Sequence, residues 1–202
     1  MKKRLLLHTC CAPCLSQSAL VLTNQLSYER ILDEKPDFEV IVFFDNPNIY
    51  SIEEYRKREN EVKKLISIFK KEYDKKLEFI PSDYTERRKI WLELTINYKN
   101  EPERGQRCNL CYEFRLEESF RMAKKLNLDL VATTLTLSPL KNTEKINEIG
   151  LNLSQKYNIK YLKSDFKKNN GVKNSVEFCK KYGIYRQNFC GCEYSLNHID
   201  NL

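Results

Sequence analysis

The sequence predicts an α/β fold: a single domain, residues 1–202, with a mostly parallel sheet flanked by helices. Short apolar segments of the kind found in buried parallel strands recur along the chain, and segments of helical length stand between them. No internal repeat, low-complexity tract or linker interrupts this alternation. With 202 residues, 41% of them hydrophobic, the chain can bury one sizeable core.

The predicted elements alternate from the N-terminus onwards. Residues 5–7 form the first strand, and Pro13 stands in the first turn of the next helix, where its missing N–H costs nothing. The mostly apolar segment 39–44 is the second strand, and Ser51 and Glu54 are expected to form a capping box at the start of a long helix. The other predicted elements are strands at 77–80, 129–136 and 159–162, and helices at 84–97, 108–126, 142–157 and 175–181.

This topology predicts where the chemistry takes place. In open parallel sheets, ligands bind beyond the carboxyl ends of the strands. Cys10, Cys11 and Cys14 follow the first strand, Asp45 follows the second, and Thr134 lies near the end of the fourth. We therefore expect these side chains at one edge of the sheet.

Cysteine is the residue type that carries most of the chemical information. Seven of the eight cysteines fall into three clusters, which are Cys10-Cys11-x-x-Cys14, Cys108-x-x-Cys111 and Cys190-x-Cys192. Cys179 stands alone in a predicted helix and is expected to be a small buried apolar residue. A C-x-x-C pair at a helix N-terminus gains from the helix dipole, which lowers the pKa of its thiols and favours metal binding.

Three kinds of site are compatible with these clusters. A zinc site would use the C-x-x-C pairs at 11–14 and 108–111 and leave the other three clustered cysteines without a role. A thioredoxin-like site would need only the pair at 11–14. An iron–sulfur cluster needs four thiolates, and the three that remain indicate a second redox or metal element. Gly191 gives the C-x-C segment the backbone freedom to bind a metal or to close a strained disulfide. The spacing favours the iron–sulfur cluster with a second element.

Charge and hydropathy limit the partners and the compartment. Lys plus Arg exceed Asp plus Glu by 35 to 28, a net charge of +7, which is compatible with binding a polyanion. The N-terminal apolar run, residues 5–7, is too short for a signal peptide, and no segment approaches the roughly 20 apolar residues of a membrane span. We therefore expect a cytoplasmic protein without membrane association, in which structural disulfides are disfavoured.

Seven motifs, taken together and in order, resemble one family. They are HTCCAPC (8–14), FFDNPNIY (43–50), YRKRE (55–59), RCNLCYEFRLE (107–117), TTLTLSPLKN (133–142), DFKKNNG (165–171) and YRQNFCGCEYS (185–195). The chain resembles the cobalamin-independent epoxyqueuosine reductases, the QueH family. The resemblance implies removal of the epoxide oxygen of epoxyqueuosine at the wobble position of tRNA, the last step of queuosine synthesis. It also implies a 4Fe-4S cluster, an additional iron, and a fold related to the adenine-nucleotide-hydrolase (HUP) superfamily.

The resemblance also implies roles for the clustered cysteines. Cluster ligation is assigned to four of them: Cys10, Cys11, Cys108 and Cys111. Cys190 and Cys192 become the redox-active or second-iron pair, and Cys14 becomes a further metal ligand.

A proton donor is required as well, because deoxygenation of an epoxide releases the oxygen as water. Asp45, Tyr185 and Tyr112 are the candidates by position. His8 precedes the cysteines and is expected to be a hydrogen-bonded core residue. Arg186 is the cation best placed for tRNA phosphates, and Tyr185 or Phe189 is expected to stack on an extruded anticodon base.

Two other functions compete with the reductase. A tRNA-thiolating enzyme of the same superfamily would need an ATP-binding loop after the first strand, and HTCCAPC (8–14) stands there instead. A non-catalytic RNA-binding or electron-transfer module, stabilised by zinc or an iron–sulfur cluster, is the alternative from a different class. The reductase, by contrast, needs an electron donor that the sequence does not identify.

Overall fold

The structure, a computed structural model, describes residues 2–36 and 38–196. Five strands form one all-parallel sheet, in the spatial order β3-β2-β1-β4-β5. The strands are β1 (Lys3–His8), β2 (Phe38–Phe44), β3 (Glu78–Pro81), β4 (Leu130–Thr133) and β5 (Lys160–Tyr161). The predicted α/β fold with a parallel sheet is therefore confirmed.

The described part of the chain contains seven helices, of which the first five stand between strands and the last two follow β5. They are α1 (Ala12–Leu22), α2 (Ile52–Tyr73), α3 (Tyr84–Thr95), α4 (Gln106–Lys125), α5 (Thr143–Tyr157), α6 (Gly171–Tyr182) and α7 (Glu193–Leu196). Two 3₁₀ helices, Ile96–Tyr98 and Thr134–Leu137, follow α3 and β4. No helix among the described residues is both long and apolar enough to cross a membrane.

The central strand β1 separates two hydrophobic cores. Its three leucines are fully buried, and their side chains alternate between the two faces of the sheet. Leu5 and Leu7 pack with residues of α1, α2 and α6, whereas Leu6 packs with residues of α4 and α5. A strand that is buried on both faces needs a continuous apolar run, and this explains why the prediction of β1 succeeded.

Several predicted boundaries differ from the structure. The fourth strand ends at Thr133, not at residue 136, because the Thr133 hydroxyl accepts a hydrogen bond from the Leu135 N–H (3.2 Å) and begins a 3₁₀ helix. The predicted capping box at α2 is wrong. Ser51 makes no capping hydrogen bond and its hydroxyl contacts Glu53, while the Glu54 carboxylate pairs with Arg58 at 2.7 Å.

The sheet order places the site. The chain moves from β1 outwards to β2 and β3 on one side, and to β4 and β5 on the other, so β1 and β4 flank the topological switch point. Cys11 is the N-cap of α1 directly beyond β1, and the Thr134 hydroxyl accepts a hydrogen bond from the Cys10 N–H (3.2 Å). The expected edge of the sheet is therefore the edge at which these residues meet.

Candidate active site

One pocket at this carboxyl edge collects most of the clustered thiols. It has a volume of about 290 Å³. Five cysteines from three separate segments line it: Cys10, Cys11, Cys14, Cys108 and Cys190. Topology thus brings together residues that are up to 180 positions apart in the sequence, the distance from Cys10 to Cys190.

The first segment supplies a compact group of three thiols. The sulfur atoms of Cys10, Cys11 and Cys14 all lie within 4.8 Å of one another, and those of Cys10 and Cys11 are 3.7 Å apart. Pro13 occupies the first turn of α1, so the helix begins between Cys11, which is its N-cap, and Cys14, which lies in its first turn. Three sulfur atoms at this spacing can hold a metal ion.

The thiols of this group do not ionise equally. Hydrogen bonds from the Cys11 and Cys14 thiols lower the pKa of Cys10 well below its usual value. The same hydrogen bond with Cys10 raises the pKa of Cys11 to about 12, and the pKa of Cys14 is also raised. Cys10 is therefore the thiol of the group that loses its proton most readily, and a bound metal would have to displace the protons of the other two.

The second segment lies on the first turns of α4. Cys108 lines the pocket, and its sulfur atom accepts a hydrogen bond from the Arg104 N–H at 3.3 Å. Cys111 is 7% exposed and lies one turn further along α4, against Trp91 and Cys192. Burial raises the pKa of both thiols.

The third segment is the loop before α7. Cys190 lines the pocket, whereas Cys192 packs behind it against Trp91 and Cys111, where burial raises its pKa to about 12. All eight cysteines are free thiols in this structure. Cys179 lies outside the site in the core between α1, α2 and α6, as predicted, and is 2% exposed.

Two of the candidate proton donors lie outside the pocket lining. The fully buried Asp45 carboxylate forms a two-pronged ion pair with Arg87, with distances of 3.1 and 2.8 Å. The Tyr185 hydroxyl donates to the Glu54 carboxylate at 3.2 Å. Tyr112 does line the pocket, and burial raises the pKa of its hydroxyl, which keeps it protonated.

His8 is a buried core residue, as predicted. One ring nitrogen, Nδ1, lies 2.9 Å from the Thr133 hydroxyl, and Nε2 lies 3.1 Å from the Asp45 carbonyl oxygen. Burial, together with the nearby Arg115 guanidinium, lowers the pKa of His8 to about 3. The ring is therefore neutral at physiological pH, with Nε2 donating to the carbonyl and Nδ1 accepting from the hydroxyl.

Lys141 is a site residue that sequence reasoning did not single out. It follows β4 at the carboxyl edge and lines the pocket together with Arg186 and Phe189. Burial lowers the pKa of the Lys141 ammonium, but negative charge on Cys190 and Cys10 outweighs burial and raises it overall. The available signal was its position after a strand end, within the segment SPLK.

Comparison with known proteins identifies the family. A family model described as "Epoxyqueuosine reductase QueH" matches residues 5–198. The chain is 35% identical over 195 residues to a Streptococcus pyogenes protein named epoxyqueuosine reductase QueH, covering 96% of this chain and 71% of that protein. A Thermotoga maritima protein of the same name is 34% identical over 192 residues, covering 95% of this chain and 89% of that protein. The chain belongs to the QueH family. The resemblance drawn from its seven motifs is thereby confirmed, and the chain is an oxidoreductase.

The residues of this QueH pocket fit a metal–sulfur cofactor. Clustered soft thiolates select zinc, copper(I) or iron–sulfur clusters over hard cations such as magnesium. The buried Trp91 packs against Cys111 and Cys192, and a hydrogen bond from its indole N–H acts to lower the pKa of the Cys111 thiol, against the larger effect of burial. An N–H donor beside cysteine sulfur is a group that tunes a metal–thiolate centre.

Proposed function

We propose that this QueH chain reduces epoxyqueuosine to queuosine in tRNA, in the last step of queuosine biosynthesis, at the thiol-lined pocket. One observation carries the proposal: five thiols from three distant segments line a single pocket at the switch point of the sheet. Membership of a family whose members are named epoxyqueuosine reductases supplies the substrate. A cytoplasmic location agrees with eight free thiols.

The proposed cofactor is a 4Fe-4S cluster held by Cys10, Cys11, Cys108 and Cys111. When bound, the cluster would supply electrons one at a time, and an additional iron with Cys14 among its ligands would supply a Lewis acid. Cys190 and Cys192 are the redox-active pair beside it. Together these roles use all seven clustered cysteines.

The chain's own residues handle the protons and the substrate. Converting an epoxide to an alkene consumes two electrons and two protons and releases water. The Tyr112 hydroxyl and the Lys141 ammonium line the pocket and carry protons. In the proposal they take the donor role, because the Asp45 carboxylate is paired with Arg87 and the Tyr185 hydroxyl with Glu54.

The pocket wall is suited to an extruded nucleotide. Phe189 offers a ring on which a base can stack, and Arg186 offers a cation for an adjacent phosphate. The substrate in this proposal is the anticodon loop of a tRNA, with the wobble base turned into the pocket. An external electron donor restores the reduced state after each turnover.

The test is metal analysis coupled to turnover. Protein purified without oxygen is expected to contain about four acid-labile sulfides and four or more irons per chain, as a four-iron cluster requires. It is expected to convert epoxyqueuosine-containing tRNA when a low-potential reductant is added. Cys108→Ser is expected to remove the cluster absorbance, and the matched control Cys179→Ser, in the core away from the pocket, is expected to retain it.

Other outcomes would contradict the proposal. Stoichiometric zinc without sulfide would make the cysteines a structural site and remove the chemical basis of the reductase. An intact cluster without turnover of the modified tRNA would favour a non-catalytic RNA-binding or electron-transfer module. Retention of the absorbance in Cys108→Ser would exclude Cys108 as a cluster ligand.

A further inference from the structure

The loop that carries Cys190 and Cys192 is tethered at four consecutive carbonyl groups, those of residues 189–192. The Phe189 and Cys190 carbonyl oxygens accept hydrogen bonds from the Arg58 guanidinium at 3.4 and 3.0 Å. The Gly191 carbonyl accepts from the Tyr50 N–H at 2.8 Å. The Cys192 carbonyl accepts from both the N–H and the hydroxyl of Ser195, at 3.0 and 2.7 Å. Four consecutive peptide groups are therefore fixed by donors outside the loop or at its end.

Arg58 is the central tether. It lies on α2, is 2% exposed, and holds two of the four carbonyl groups while its guanidinium lies 4.8 Å from the centre of the Phe189 ring. The loop passes so close that a Cβ atom at Gly191 would lie 3.0 Å from the Arg58 Nη1 atom, and Gly191 has a φ of +101°. Glycine is required there by both the approach and the conformation.

A second layer fixes the guanidinium itself. Arg58 Nε donates to the Glu54 carboxylate at 2.7 Å, and the Tyr185 hydroxyl donates to the same carboxylate at 3.2 Å. Tyr185 therefore lies two contacts away from the cysteine loop: it orients Glu54, which orients Arg58. This network gives Tyr185 a role other than proton donation.

The tethers oppose disulfide formation between the two cysteines. Both are free thiols: Cys190 lines the pocket and packs against the group formed by Trp91, Cys111 and Cys192. A disulfide needs the two sulfur atoms at about 2 Å from each other with a defined dihedral angle, so the free thiols must change position. The small ring that they would close contains the carbon atoms of the tethered Cys190 and Gly191 carbonyl groups. Charge-assisted hydrogen bonds from a buried guanidinium resist such a movement, because breaking them leaves the Nη1 and Nη2 groups of Arg58 without their carbonyl acceptors.

We propose that Arg58 is a positioning residue that holds the Cys190–Cys192 loop in its dithiol conformation and makes the pair harder to oxidise. In the redox step, two thiols lose two electrons and two protons and form one disulfide. This inference rests on the proposed function in one respect only: that the two electrons released by the dithiol go towards reduction of the epoxide. The dithiol–disulfide equilibrium depends on the loop alone.

The experiment measures the dithiol–disulfide equilibrium directly. Full-length protein, purified without oxygen, is equilibrated in buffers of reduced and oxidised glutathione, and the two cysteines are quantified by differential alkylation and mass spectrometry. In Arg58→Met the ratio of disulfide to dithiol is expected to rise at least tenfold at a fixed buffer, which corresponds to a potential about 30 mV more negative. Tyr185→Phe is expected to shift the ratio in the same direction by less.

The matched control is Lys64→Met. Lys64 also lies on α2, and its ammonium donates to a loop carbonyl, that of Gly183 at 2.6 Å, but not to the cysteine loop. An unchanged ratio in Arg58→Met, an equal rise in Lys64→Met, or a pair that forms no disulfide in any buffer would overturn the proposal. If Arg58→Met does not fold, it is replaced by Arg58→Lys. Lysine keeps the charge but lacks the planar guanidinium that donates to two carbonyl groups at once.

The two proposals fail separately. If the disulfide-to-dithiol ratio shifts as expected but epoxyqueuosine is not converted, the proposed reductase function is rejected and the proposed role of Arg58 is retained. If turnover and metal content are normal but the ratio does not shift in Arg58→Met, the proposed role of Arg58 is rejected and the reductase function is retained.

Discussion

At the scale of single residues, the buried polar groups near the site are mostly held by other side chains. Asp45 illustrates this. Its carboxylate is fully buried and bound by Arg87, which also contacts Glu118 at 3.3 Å and the Phe114 carbonyl at 3.1 Å. A residue placed by sequence at the mouth of a strand can therefore serve to join β2 to α3 and α4.

Asp45→Asn is expected to lower the free energy of unfolding by about 3–5 kcal/mol, because it leaves the Arg87 guanidinium without its buried counter-ion. Urea unfolding of the variant would measure the loss. Glu148→Gln is the control: its ion pair with Lys145 is solvent-exposed, so a loss of about 1 kcal/mol or less is expected. If the Asp45→Asn protein is stable and binds tRNA but does not convert epoxyqueuosine, Asp45 instead takes part in the reaction.

At the scale of elements, the N-caps of two helices differ although both have a suitable residue type. Asn142, the N-cap of α5, accepts a hydrogen bond from the Lys145 N–H at 3.1 Å. Ser51, the N-cap of α2, has the right residue type but makes no such bond. Two local contacts and one tertiary contact explain the difference. The Ser51 hydroxyl donates to Glu53, and Glu54 is held by Arg58, one turn along α2, and by the Tyr185 hydroxyl.

Asn142→Ala is expected to destabilise the protein by about 1 kcal/mol, and Ser51→Ala by no more than a few tenths of a kcal/mol, since only Asn142 satisfies an N–H group of its helix. Thermal or urea unfolding of the two variants side by side would measure the difference. An equal loss of unfolding free energy in the two variants would mean that the hydrogen bond from the Lys145 N–H to Asn142 adds no measurable stability.

At the scale of the whole molecule, the fold and the position of the site could be predicted from the sequence, but the contacts within the site could not. Apolar runs such as residues 5–7 identify strands, and strand ends identify the edge where the thiols meet. Whether Cys192 faces the pocket or the core, or whether Tyr185 faces Glu54, depends on side-chain packing between segments about 80 to 130 residues apart. Periodicity and spacing carry no information about such pairings.

The balance of charge in the pocket is also a property of the whole fold. Five cations line it: Arg58, Arg104, Arg115, Lys141 and Arg186, against a single acid, Glu103. The first three donate to backbone or side-chain acceptors of the protein. Arg186 makes no side-chain hydrogen bond or ion pair within residues 2–36 and 38–196, so its charge is available to a polyanion, whereas the Lys141 ammonium interacts with negative charge on Cys190 and Cys10.

Arg186→Ala is therefore expected to weaken tRNA binding and to reduce the slope of log K against log salt concentration by about 1, the change for one lost phosphate contact. Titrations at several salt concentrations, with the metal content of the variant checked against the parent, would measure the slope. Lys125→Ala is the control. This substitution also removes one positive charge, but Lys125 is exposed at the end of α4, remote from the pocket. Equal slopes for the two variants would mean that only net charge matters. A selective change at Arg186 would mean that the anticodon loop lies across the pocket mouth.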